Sequence, residues 1–101
     1  MESMPIRSFR DPGTHDIAHE VPAKFARRKL PPFLHSAAYR KMVFLDNAHS
    51  LEDMSNWKGL RLEKLKGDRK EQFSIRINDR YRVCFRWNGV DALDVEIVDY
   101  H

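Results

Sequence analysis

The sequence predicts an α+β domain, with N-terminal helices packed on one face of a mostly antiparallel four- to five-stranded sheet. Three observations predict it. Apolar residues recur at helical spacing after Phe33, at Leu34, Ala38, Met42 and Leu45. Roughly the last 45 residues alternate apolar and polar side chains, as strands do. Asn78-Asp79 and Asn88-Gly89 divide that stretch as hairpin turns. At 101 residues the chain makes a single domain, 1–101, with one modest core.

Taken in order, Met1 to Pro5 reads as a loose leader. Ile6 to Phe9 reads as a short first strand, and Asp11-Pro12-Gly13 as a turn, followed by a short helical segment to about Glu20. Val21 to Pro32 is a basic connector interrupted by prolines. A helix then runs from Phe33 through Leu45, its two prolines at or before the first turn. Ser50-Leu51-Glu52-Asp53 resembles a capping box opening a short further helix. Leu60 and Leu62 alternate with Arg61 and Glu63. Phe73, Ile75 and Ile77 alternate with Ser74, Arg76 and Asn78. Tyr81, Val83, Phe85 and Trp87 alternate with Arg82, Cys84 and Arg86. Leu93, Val95 and Ile97 line a last strand.

Composition narrows the function. Hydrophobic residues make up 42% of the chain, which argues against disorder. Cys84 is the one cysteine, which excludes an internal disulfide and a cysteine-based zinc site, and its strand position predicts a buried thiol. No apolar run reaches membrane length and no signal peptide is visible, so a cytoplasmic protein with no membrane contact is expected. The net charge is +3, but residues 57–86 alone hold six arginines and four lysines. That cluster is either a solvated face or a surface for a polyanion.

Alternation turns composition into a candidate site. Successive strand side chains point to opposite faces. If the apolar set faces the helices, Arg61, Glu63, Arg76, Arg82 and Arg86 share the other face. Arginines held this close repel one another, which favours a phosphate partner over bare solvent. His15 and His19 stand at helical i,i+4 spacing, but without a third ligand they read as two exposed histidines.

The run Leu65-Lys66-Gly67-Asp68-Arg69, the block Ser74 to Phe85 and the terminal Asp99-Tyr100-His101 together resemble the HigB ("killer protein") branch of the RelE superfamily of bacterial toxins. The resemblance runs from about Ile6 to His101. It implies a ribosome-dependent endoribonuclease of a type II toxin–antitoxin operon, which cuts messenger RNA in the A site of the 70S ribosome. It also implies a cognate helix-turn-helix (HigA-like) antitoxin. By the same resemblance Arg82 matches a catalytic arginine, and Tyr100 and His101 match the terminal Tyr-His. Some HigB members carry histidine where this chain has Glu63. In related YoeB-type toxins that position looks like a glutamate general base.

The chemistry is sensible on its own terms. RNA carries its nucleophile, the 2′-hydroxyl. Cleavage needs a base for that proton, a cation for the phosphorane charge and an acid for the departing 5′-oxygen. Glu63, Arg82 and His101 supply these in turn, with no metal or cofactor expected. Tyr100 is placed with the catalytic group, stacking on a base or bonding a phosphate. Arg61, Lys64, Lys66, Arg69, Arg76 and Arg86 are expected to bind RNA. Asp99 is expected to support the site by hydrogen bonding. A ParE-like gyrase inhibitor and a non-catalytic RNA-binding module are the alternatives. Whether Glu63 or another group is the base stays open.

Overall fold

A computed structural model describes residues 5–100. The leader residues 1–4 and His101 lie outside the described residues. Among the described residues, four helices precede a four-stranded antiparallel sheet with strands in chain order. The helices are α1 (Pro12–Ala18), α2 (Lys24–Lys29), α3 (His35–Asp46) and α4 (Leu51–Asn56). The strands are β1 (Glu63–Lys64), β2 (Phe73–Arg76), β3 (Tyr81–Trp87) and β4 (Ala92–Asp99).

The core lies between the helices and one sheet face. Ala38, Met42 and Leu45 of α3 bury the stripe their spacing describes. With Ile17, Ala26, Leu30, Met54 and Leu60 they pack on Ile75, Val83, Phe85, Val95 and Ile97. Each large apolar side chain so buried stabilises the fold by about 1.5–3 kcal/mol relative to exposure. Both turns are built by asparagine. Asn78 Oδ1 accepts from the Arg80 and Tyr81 amides at 2.9 and 2.8 Å. Asn88 Oδ1 accepts from Val90 and Asp91 at 2.9 and 2.7 Å, beside Gly89 at φ 101°. The Ser50 hydroxyl caps α4, accepting from the Asp53 amide at 3.0 Å. The Asp53 carboxylate reaches back to the His49 amide at 3.0 Å, which completes the expected box one residue further out.

The N-terminal third departs from the sequence reading. Ile6 to Phe9 is no regular strand. It makes two isolated parallel bridges to β4, Ile6 to Ala92 and Phe9 to Val95. Asp11-Pro12-Gly13 opens α1 rather than forming a turn. Asp11 is its N-cap, accepting from the Thr14 amide at 2.7 Å, and Pro12 occupies the first turn. The basic connector contains α2, which buries Ala26, and Leu30 just beyond it is buried too. A 3-10 turn at Pro32–Leu34 leads into α3. In the sheet, the strand expected around Leu60 to Glu63 shrinks to the two residues of β1. A 3-10 turn at Lys58–Leu60 and a left-handed Arg61, φ 50°, occupy the rest.

These departures protect the sheet edge. The outer side of β4 would leave amides open to pairing. Val95 donates instead to the Ser8 carbonyl at 3.0 Å, and Ile97 to the Thr14 hydroxyl at 3.0 Å. Ahead of Glu96 β4 bulges, with no one-to-one pairing between Cys84/Glu96 and Arg86/Leu93. Asp94 takes φ 53° there and donates its amide to the Ser8 hydroxyl at 2.8 Å.

Candidate functional site

Strand register sets the site. Glu63 faces Ser74, Ser74 faces Cys84, and Cys84 faces Glu96, so one row crosses all four strands. Cross-strand partners share a face. Arg76 and Arg82 form the next row on that same face.

Arg82 is the centre. It is only 9% exposed, and a buried guanidinium requires hydrogen-bond partners. Its Nε donates to Ser74 Oγ at 2.6 Å and its Nη2 to the Arg61 carbonyl at 2.5 Å. The left-handed backbone at Arg61 brings that carbonyl in. Arg61 therefore enters the site through its main chain, where strand alternation had placed its side chain. Nη1 makes no hydrogen bond among the described residues.

Glu63 and Tyr100 flank this anchor. Glu63 Oε1 lies 3.9 Å from Arg82 Nη2, and its side chain is 58% exposed. An ion pair that long and that wet contributes about 1 kcal/mol at most, so the carboxylate stays open to solvent. The Tyr100 amide donates to the Arg80 carbonyl at 2.7 Å, and Arg82 Cζ lies 5.9 Å from the Tyr100 ring centroid. The last expected catalytic group, His101, lies outside the described residues.

The other candidates scatter. Arg69 Nη1 donates to Gln72 Oε1 at 2.9 Å and Glu96 Oε1 at 3.2 Å. Arg86 pairs with Asp94 at 3.3 Å. Arg69, Arg86 and Arg10 line one depression beside the Glu63–Glu96 row. Arg76 pairs with Asp79 in the β2–β3 turn. Lys66 is exposed ahead of a 3-10 turn at Gly67–Arg69. Lys64 pairs with Phe73 in the register and sits 4.9 Å over its ring, on the opposite sheet face from Arg82. It does not join the cluster.

Asp99 pairs with Arg80 in an exposed setting. Its carboxylate accepts from Arg80 Nε and Nη2 at 3.0 and 2.8 Å, and this pairing raises the Arg80 pKa. Carboxylates or carbonyls thus relieve the expected mutual repulsion of the arginines within the chain.

Cys84 lies under the same face, fully buried. Burial pushes its thiol up to about 11. Glu96 adds to the rise, and Arg69 and Arg82 oppose it. Ser74, Gln72 and Glu96 are the residues the sequence reading missed. The cross-strand row from Glu63 was the available signal for Ser74 and Glu96, but it depends on register. His15 and His19 stack at 4.2 Å and meet the Phe9 ring edge-on.

A short antiparallel sheet backed by helices, carrying a buried arginine between an open carboxylate and a tyrosine near the end of the chain, defines a small α+β protein with an arginine-centred sheet face. Comparison with known proteins makes this specific. Residues 14–101 match the model of the RelE-like toxins of the type II toxin–antitoxin system HigB. Over 67 residues the chain is 38% identical to Toxin HigB-1 of Vibrio cholerae serotype O1, covering 66% of this chain and 70% of that protein. The chain belongs to the HigB-like toxin family, and membership brings a cognate antitoxin as partner. No helix among the described residues is long and apolar enough to cross a membrane.

Proposed function

We propose that this toxin is a ribosome-dependent endoribonuclease, acting in the cytoplasm on messenger RNA in the 70S A site and held in check by a HigA-like antitoxin. The observation that carries the reading is Arg82, locked through Nε and Nη2 with Nη1 left for a phosphate oxygen, beside the open carboxylate of Glu63.

In this reading Glu63 takes the proton from the 2′-hydroxyl. The 2′-oxygen bonds to phosphorus, and Arg82 stabilises the extra negative charge. The bond to the 5′-oxygen breaks, and His101 gives that oxygen its proton. The products are a 2′,3′-cyclic phosphate and a 5′-hydroxyl. Ser74 and the Arg61 carbonyl hold the guanidinium in place, so little reorganisation is needed as charge develops. Tyr100 stacks on a base next to Arg82. Arg69, Arg76 and Arg86 bind flanking phosphates by exchanging their internal partners for RNA. The small site has few means of orienting a flexible chain, and orientation is a large part of the rate. The ribosome supplies it by holding the codon.

The test is primer extension on messenger RNA after incubation with translating ribosomes. Wild-type protein is expected to cut on the ribosome and only slowly on naked RNA. Glu63→Gln and deletion of His101 are each expected to lower the rate roughly 10²–10⁴-fold, with circular dichroism unchanged. Wild-type cleavage by either variant overturns the acid–base assignment. Growth arrest without cleavage, with altered DNA supercoiling, would point to the gyrase-directed relatives.

A further inference from the structure

We propose that the antitoxin docks on the α2 segment, residues 21–33, through an acidic, apolar stretch of its own chain. The inference rests on membership of the toxin–antitoxin family, not on the cleavage mechanism. Three observations converge on the segment.

The first is charge. From Val21 to Leu45 the chain carries Lys24, Arg27, Arg28, Lys29, Arg40 and Lys41 and no carboxylate. Asp11 neutralises Lys29 at 3.1 Å, and Arg27 donates to the Pro22 carbonyl. Lys24 and Arg28 make no ion pair among the described residues. They stand at i,i+4 on α2, where like charges repel. A partner's carboxylates would turn that repulsion into attraction.

The second is exposed apolar surface. Phe33 is 82% exposed, Phe25 45% and Val21 42%. Phe25 and Arg28 are i,i+3 neighbours, so aromatic surface and uncompensated charge share one helix face. A stable interface needs an apolar centre with aromatic anchors. The sheet face around Arg82 offers Tyr100 as its exposed large hydrophobic residue. Valine cannot stack on a base but can pack against apolar side chains, which favours a protein partner here over RNA.

The third is position. α2 packs against α1 in the helical layer, and Arg82 lies on the sheet face turned away from the core. Docking at α2 therefore need not fill the Arg82 site.

The experiment measures binding of the antitoxin encoded beside this gene to the full toxin chain by calorimetry at two salt concentrations. Phe25→Ser with Phe33→Ser is expected to weaken binding about 30-fold or more, the scale of losing aromatic anchors. Lys24→Glu with Arg28→Glu is expected to weaken it about tenfold and flatten its salt dependence. Both pairs are surface changes and should keep native circular dichroism. Both should still arrest growth when the toxin is expressed alone, and resist rescue by the antitoxin. Glu63→Gln should bind within about twofold of wild type. Full affinity in both α2 variants overturns the proposal. So does loss of affinity in Glu63→Gln. Normal antitoxin binding with lost affinity for a single-stranded oligonucleotide would assign α2 to RNA and also overturns it. Because cleavage plays no part in the calorimetric readout, failure of the nuclease reading leaves the binding result standing, and the reverse holds.

Discussion

Arg82 commits two donors to Ser74 and the Arg61 carbonyl before it meets any substrate. Its direct cross-strand neighbour Arg76 has a different partner, Asp79. Two like charges opposite each other in a sheet are destabilising unless each finds such a partner. Cys84 shows the same face from beneath. Its thiol, raised from 9.0 to about 11 by burial, is almost wholly protonated at neutral pH. Alkylation of the native protein is expected to be slow and to track unfolding, as iodoacetamide labelling followed by mass spectrometry will read. The raised folded value also fixes a sign. This contribution to stability is complete below the unfolded pKa and disappears as pH rises through about 11. Denaturant titrations between pH 9 and 11 should therefore show a shallower decline for Cys84→Ala than for wild type, by about 1.4 kcal/mol per pKa unit at most. An equal slope would remove the buried-thiol account.

Among the elements, α1 depends on a glycine. A Cβ at Gly13 would lie 2.7 Å from both Lys29 Cβ and the Phe25 carbonyl oxygen. Neither atom can swing aside, since one is main chain and the other sits at the root of its side chain. Gly13→Ala gains about 1 kcal/mol of helix propensity but must push α2 away, an overpacking cost of roughly 1–3 kcal/mol. Net destabilisation with a lower Tm is expected. A Tm at or above wild type would mean that α2 yields freely. The same contact explains why the basic stretch is helical despite its flanking prolines. Propensity alone is weak over six residues, and burial of Ala26 and Leu30 supplies what it lacks.

At the scale of the molecule, the sheet separates two kinds of surface. The outer sheet face carries Arg82, Arg76, Glu63 and Glu96, and the helical layer carries Phe25, Phe33 and the cations of α2. In the proposed function, salt distinguishes cations that meet RNA from those that do not. For single-stranded RNA, each phosphate contact contributes about −0.7 to the slope of log affinity against log salt. Arg76→Ala, on the Arg82 face, is expected to flatten that slope by about that amount for ribosome or oligonucleotide binding. Lys64→Ala, on the opposite face, should leave it nearly unchanged. The reverse ranking would mean that RNA approaches along the core-side edge of β1.

The sequence by itself determined the α3 stripe, both asparagine turns, the α4 cap and the parities of β2 and β3. Each follows from a local rule that operates within one or two turns of chain. It also put Glu63 and Arg82 on one sheet face through strand parity, and grouped Tyr100 and His101 with them through family resemblance. Tertiary structure decided the rest. Whether Lys64 or Glu63 faces Arg82 is a matter of register, and a one-residue difference changes the face. Whether Arg61 contributes a side chain or a carbonyl turned on its left-handed backbone at the end of the 3-10 turn before β1. The partners of the arginines, Ser74, Asp94 and Glu96, come from other strands, and no local pattern pairs them. The edge of β4 is closed by residues 5–14, more than 80 positions away in the chain. Long-range hydrogen bonds and packing made these choices, because buried donors and an open sheet edge must be satisfied by whatever the folded chain brings near.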